Sequence, residues 1–221
     1  MKEPLKYFLE RKTLFGKIAR FQRDRQLLKK YRTWEKKGAV PPMPNYGKQQ
    51  VVIEYINSYS PDIFIETGTY KGKMVYAVIP FVKEIYSIEL DEVLFRNAEK
   101  KFVGYPNIHI LQGQSGQILP EVLKDIDQPC LFWLDAHYSG GSTAKGDLDT
   151  PIIQEMECIL NHKRANDHII LIDDGRCFIG DNGYPSLQYL KKFILSKKPD
   201  WFFNVNRDII ITHSGKKTVF V

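Results

Sequence analysis

Five short apolar runs, each followed by a stretch of helical periodicity, constrain what this chain can fold into more than any other feature. The runs lie near residues 62–66, 84–89, 107–111, 130–135 and 168–173, and the helical stretches near 72–80, 91–102, 115–124, 151–163 and 185–197. Such alternation implies a parallel sheet with right-handed crossovers and helices on both faces. The expected class is therefore α/β, doubly wound and mostly parallel. A further helix is read over residues 47 to 58, leading into the first strand. The closing segment, Trp201 to Val221, carries two strand-like stretches separated by Ser214-Gly215-Lys216, which reads as a terminal hairpin.

Charge divides the chain unevenly. Residues 1 to 37 hold 13 Lys and Arg against 4 Asp and Glu, a net of +9, whereas the whole chain is +6, so everything after Lys37 is net acidic. Within this basic arm Phe8, Phe15, Ile18, Phe21, Leu28 and Tyr31 recur at helical spacing, with a break expected near Gly16. Pro41-Pro42-Met43-Pro44 ends the pattern, which suggests a basic helical arm and linker over 1–45 and one domain over 46–221. Two readings of the arm stay open: a surface for membranes or nucleic acid, or a helix that packs on the domain or on a second copy in a homo-oligomer.

No run reaches eighteen apolar residues, and Met1 to Lys6 lack the apolar centre of a secretory signal, so a cytoplasmic protein is expected. Cys130, Cys158 and Cys177 are odd in number and not in Cys-x-x-Cys spacing, which argues against a disulfide framework or zinc knuckle.

The first apolar run passes into Glu66-Thr67-Gly68-Thr69-Tyr70-Lys71-Gly72. Glycines between a strand and a helix let backbone approach a ligand where a Cβ would clash. The Glu-x-Gly-x-x-x-Gly spacing is neither the Gly-x-Gly-x-x-Gly of dinucleotide binders nor a phosphate-cradling P-loop. The second run also ends in a carboxylate, Glu89, where an acceptor for ribose hydroxyls would stand.

On these residues the chain resembles the class I S-adenosylmethionine-dependent methyltransferases, over roughly residues 47 to 213. The resemblance implies a Rossmann-like fold closed by a C-terminal antiparallel strand, with S-adenosylmethionine contacted by Glu66, Gly68, Thr69, Gly72, Glu89 and Asp135. It also implies an adenine contact at Gly113-Gln114-Ser115, where many members carry Asp in place of Gln114.

The fourth run delivers Asp135-Ala136-His137 and the fifth Asp173-Asp174. Adjacent parallel strands lie about 5 Å apart, which lets the three carboxylates converge, and a hard divalent ion such as Mg²⁺ would remove their repulsion. Taken singly, Asp135 reads equally as a helix cap and Asp173-Asp174 as an Asx-turn. Together they are similar to the acids of the metal-dependent O-methyltransferases of catechol and of macrolide or aminocoumarin sugars. That likeness implies metal ligands at Asp135, Asp173 and Asp174, a catalytic role for Asp135, and His137 as proton acceptor. His137 could instead face the metal. Where the catechol type has a Lys, this chain has Tyr138.

Between Tyr138 and Thr150 a long polar stretch reads as a substrate lid, ended by Thr150 as helix cap and Pro151 in the first turn. A second loop on the same edge, Gly175 to Pro185, carries Arg176. The expected function is methylation of a small hydroxylated acceptor such as a sugar. The alternatives are a nucleic-acid methyltransferase guided by the arm, which lacks the Asn/Asp-Pro-Pro-Tyr/Phe motif here, and a non-catalytic protein of the same fold.

Overall fold

The computed structural model describes residues 14–135, 150–181 and 183–215, with side chains from Arg25 onward. His137, the stretch from 136 to 149 and Asn182 lie outside the described residues. In chain order the elements are α1 (Leu14–Lys36), α2 (Asn45–Tyr59), β1 (Ile63–Thr67), α3 (Lys73–Val78), β2 (Glu84–Glu89), α4 (Glu92–Phe102) and β3 (Ile108–Gln112). They continue with α5 (Ser115–Lys124), β4 (Cys130–Leu134), α6 (Ile152–Asn161), β5 (Ile169–Ile172), α7 (Leu187–Lys197), β6 (Phe202–Asn206) and β7 (Ile209–His213).

The strands form one sheet in the order β3-β2-β1-β4-β5-β7-β6. The first five are parallel, and β7 runs antiparallel between β5 and β6. Because crossovers cover both faces, β1, β4 and β5 are buried along their whole length. Alternate residues serve two cores. Ile65, Phe132, Leu134 and Ile170 pack with Leu119 of α5, Met156 of α6 and Leu190 of α7 on one face. Phe64, Leu131, Trp133 and Leu171 pack with Val52 of α2, Val75 of α3 and Phe102 of α4 on the other.

Two expectations need correction. Ser214 and Gly215 of the expected turn follow β7, residues 216–221 lie outside the described residues, and the terminal hairpin among the described residues turns at Arg207-Asp208. Both turn residues have positive φ, 48° and 75°, as the tight primed hairpin turn requires. Asp tolerates that region better than most residues, and the Asp208 carboxylate is anchored by the Arg176 backbone N–H at 2.7 Å. Ser-Gly therefore gave the more obvious sequence signal for a turn made elsewhere. Likewise α1 passes through Gly16 without a break. One glycine costs a helix only about 1 kcal/mol relative to alanine.

The end of α1 is docked on the body. The Tyr31 ring lies against Gly47 of α2, where a Cβ would meet it at 2.5 Å. Trp34 packs against the second core and donates its Nε1–H to the Val40 carbonyl at 2.6 Å. Arg207, at the hairpin tip, donates to the Tyr31 hydroxyl at 2.7 Å. No helix among the described residues is long and apolar enough to cross a membrane.

Candidate functional site

Four loops leave the carboxyl edge of the sheet in register. Each continues the ladder one residue beyond the last strand position: Gly68 N–H donates to Ile88, Gly113 to Glu89, Asp135 to Thr67 and Asp173 to Leu134, all at 2.9–3.0 Å. The loops therefore start from fixed points and open into one crevice, where doubly wound sheets bind ligands.

On the β1–β2 side the acids are held by neutral donors. Glu66 is only 2% exposed and accepts the Ser87 hydroxyl at 2.6 Å. With its proton so used, Ser87 accepts from Thr69 Oγ1, 2.7 Å away. Burial pushes Glu66 well above the usual carboxylate range, Ser87 opposes the rise, and the charges of Asp135 and Glu89 add to it. Glu89 accepts backbone N–H groups from Tyr70 at 2.7 Å and Asp91 at 3.0 Å, and burial raises its pKa too. Its carboxylate ties the cofactor-type loop to the start of α4.

Gly68, at φ 90°, and Thr69 line a cleft together with Glu66, Lys48, Trp133 and Asp135. Gly72 does not line it. Its φ of 63° and the Phe102 ring, which a Cβ would meet at 2.7 Å, explain the glycine as a packing requirement of the loop. Gln114 and Ser115 start α5 at the β3 end of the crevice. Ser115 is buried against Glu155 of α6, a carboxyl that burial pushes up to about 7 while the Ser115 and Thr67 hydroxyls pull it down. At the far end of the crevice, Thr150 Oγ1 accepts the Ile152 N–H at 3.3 Å and Pro151 takes the cap position, one residue from the expected start of α6.

On the β4–β5 side Asp135, Asp173 and Asp174 converge, with one carboxylate oxygen of each within 4.8 Å of the others. The sequence reading put Arg176 on this edge but missed Lys48, the other cation that meets them. Lys48, in the first turn of α2, bonds Asp173 Oδ2 and reaches Asp174 Oδ1 at 3.2 Å. Arg176 bonds Asp174 Oδ1 at 2.7 Å and also pairs with Asp208 at the hairpin tip. Asp174 holds a left-handed backbone, φ 53°, and its N–H donates to Asp173 Oδ1 at 2.7 Å. Burial and the Asp135 charge raise Asp173 to about 7, although Lys48 pulls the other way. Burial alone would lower Lys48, but Asp173 outweighs it and the ammonium is held above its ordinary value. No sequence spacing announces Lys48 or Asp208, which lie 125 residues before and 35 after Asp173 in the chain.

Solved structures share this architecture. The SAH-bound Podospora anserina methyltransferase PaMTH1 superposes with a TM-score of 0.57 at 18% identity, covering 81% of this chain and 85% of that one. The Bacillus cereus O-methyltransferase in complex with SAH gives 0.56 at 13% identity, with coverages of 85% and 89%. TomG of Streptomyces achromogenes, an O-methyltransferase involved in tomaymycin synthesis and bound to SAM, gives 0.55 at 14%, with 84% and 87%. The fold is that of the class I methyltransferases. The Rossmann-like expectation, including the antiparallel closing strand, thus holds. No protein-family model matches the sequence. No curated protein is detectably similar to it in sequence.

Proposed function

We propose that this protein is an S-adenosylmethionine-dependent O-methyltransferase that acts on a small hydroxylated acceptor such as a sugar, assisted by a divalent ion, Mg²⁺ by preference. The observation that carries this reading is the meeting, at one sheet edge, of a glycine loop flanked by buried acids and a cluster of three further acids. S-adenosylmethionine supplies a methyl group on a cationic sulfur. The Asp135 carboxylate lines the cleft and offers such a cofactor an anionic partner, beside the cations Lys48, Lys71 and Lys73 that line it too. Gly68 and Thr69 line the cleft that we assign to it, and in this reading Glu89 meets the ribose and Gln114 with Ser115 the adenine.

Asp135, Asp173 and Asp174 form a donor set that fits a hard cation, since all three offer carboxylate oxygen and lie within coordinating reach of one another. Bound there, such an ion would lower the pKa of an acceptor hydroxyl. Asp135 also borders the cofactor cleft, so the acceptor oxygen and the methyl donor would meet beside it. His137, two residues on, is the group we assign to take the hydroxyl proton; its ordinary pKa lies near neutrality. Residues 46–221 suffice for this chemistry in our reading, with the basic arm over 1–45 serving packing or a partner.

Calorimetric titration with S-adenosylmethionine, with and without Mg²⁺, followed by transfer assays on sugars and catechols, tests the reading. EDTA should abolish transfer and leave cofactor binding intact. Absence of cofactor binding would remove the methyltransferase assignment, and full activity in EDTA would remove the ion.

A further inference from the structure

The cation nearest the three carboxylates belongs to the protein itself. Lys48 Nζ bridges Asp173 Oδ2 and Asp174 Oδ1, and its side chain is only 13% exposed, against 0% for Asp173 and 7% for Asp174. Its position is fixed from behind. The preceding residue, Gly47, is pressed against the Tyr31 ring of α1, so α2 has little freedom to withdraw from the cluster.

Both Asp173 oxygens and Asp174 Oδ1 already have partners. Asp173 Oδ1 accepts the Asp174 N–H, which leaves Oδ2 as the Asp173 oxygen free to face an ion, and Oδ2 is the acceptor of Lys48. Asp174 Oδ1 is divided between Lys48 and Arg176, and Arg176 is in turn held by Asp208. A divalent cation placed among these carboxylates would share Asp173 Oδ2 with an ammonium. At such a separation, in a partly buried site, two positive charges repel strongly. Without either cation, the three carboxylates would repel one another instead.

We propose that Lys48 is a built-in competitor for the divalent ion. Its ammonium holds Asp173 and Asp174 together when no ion is present, and an ion enters only as Lys48 leaves Asp173 Oδ2. The resting site is thereby kept assembled, and its affinity for the ion is set below what three carboxylates would otherwise give. The inference rests on the metal-assisted reading above.

The test is Mn²⁺ binding to the full chain, followed by electron paramagnetic resonance, together with thermal unfolding in EDTA and in Mn²⁺. Lys48→Gln should bind Mn²⁺ about tenfold more tightly than the wild type or better. In EDTA its Tm should fall below that of the wild type, and Mn²⁺ should raise the variant's Tm more than the wild type's. Equal or weaker Mn²⁺ affinity in Lys48→Gln would overturn the competition and leave the metal reading standing. No Mn²⁺ binding by either protein, both folded by circular dichroism, would overturn the two together. If Lys48→Gln folds only with Mn²⁺ present, the proposal is supported. Lys48→Arg, which keeps the charge, should bind Mn²⁺ as weakly as the wild type, and tighter binding there would count against competition by charge.

Discussion

Glu66 and Glu89, at the ends of β1 and β2, are held by a hydroxyl and by backbone N–H groups, whereas Asp173 and Asp174, after β5, are held by an ammonium and a guanidinium. Both pairs lie on the same sheet edge and are similarly buried. The difference is in what can leave. A backbone donor cannot move without the loop that carries it, so the first pair makes a fixed platform. A lysine on a flexible stem can be displaced by a competing cation, so the second pair makes an exchangeable seat. Asp135 stands between them, lining the cleft of the first and belonging to the cluster of the second.

The largest effect expected from this division is on the rate of transfer. His137→Ala should lower kcat on the order of 10²–10⁴-fold, with Mn²⁺ and S-adenosylmethionine binding kept. An unchanged maximal rate would move the base elsewhere. Next comes a matched pair of amide substitutions. Asp135→Asn should remove most of the Mn²⁺ affinity, because one of three anionic ligands becomes neutral. Glu66→Gln should leave Mn²⁺ binding and folding nearly unchanged, because burial already favours the protonated acid that the amide mimics. Comparable Mn²⁺ losses in both variants, read by resonance titration, would erase the distinction between the two sides.

A smaller change is expected within the platform. Glu89→Ala should weaken S-adenosylmethionine binding by about 1.5–3 kcal/mol, the scale of hydrogen bonds to a charged group. Calorimetry showing full affinity would take Glu89 out of the cofactor site. The smallest effect is on stability against pH. Glu155, raised to about 7 when folded, binds its proton more tightly in the native protein than in the unfolded chain. Its contribution is thus present below the ordinary carboxylate pKa near 4.5 and is lost as pH rises toward 7. Urea unfolding of Glu155→Gln should show a flatter decline over that window and higher stability than the wild type at pH 8. An identical pH profile in the two proteins would refute the burial account.

Much of this edge was legible before any tertiary information. The apolar runs locate β1 to β5 within a residue or two, because a strand covered on both faces needs apolar residues at consecutive positions. Strand-end acids in a parallel sheet must then converge, whatever the loops do, and that brings Asp135 to Asp173 and Asp174. The roles of individual loop residues were less legible. Gly72 stood out as part of a ligand-approach pattern, yet its space is filled by Phe102 from α4. Ser214-Gly215 drew the hairpin turn away from Arg207-Asp208, where side-chain anchoring supports a backbone that glycine more often adopts.

By itself, then, the sequence determined the succession of the strands along the chain, their burial and the set of acids at their carboxyl ends, since these follow from local periodicity, whereas the order of the strands in the sheet came from the structure. Only the tertiary structure decided what answers those acids. Ser87 reaches Glu66 across one strand pair, Lys48 reaches Asp173 from a helix 125 residues earlier, and Asp208 reaches Arg176 from a hairpin tip. None of these partners is marked by spacing, because a buried charge is compensated by whatever donor the packing brings within hydrogen-bond distance, and packing joins residues that the chain keeps far apart.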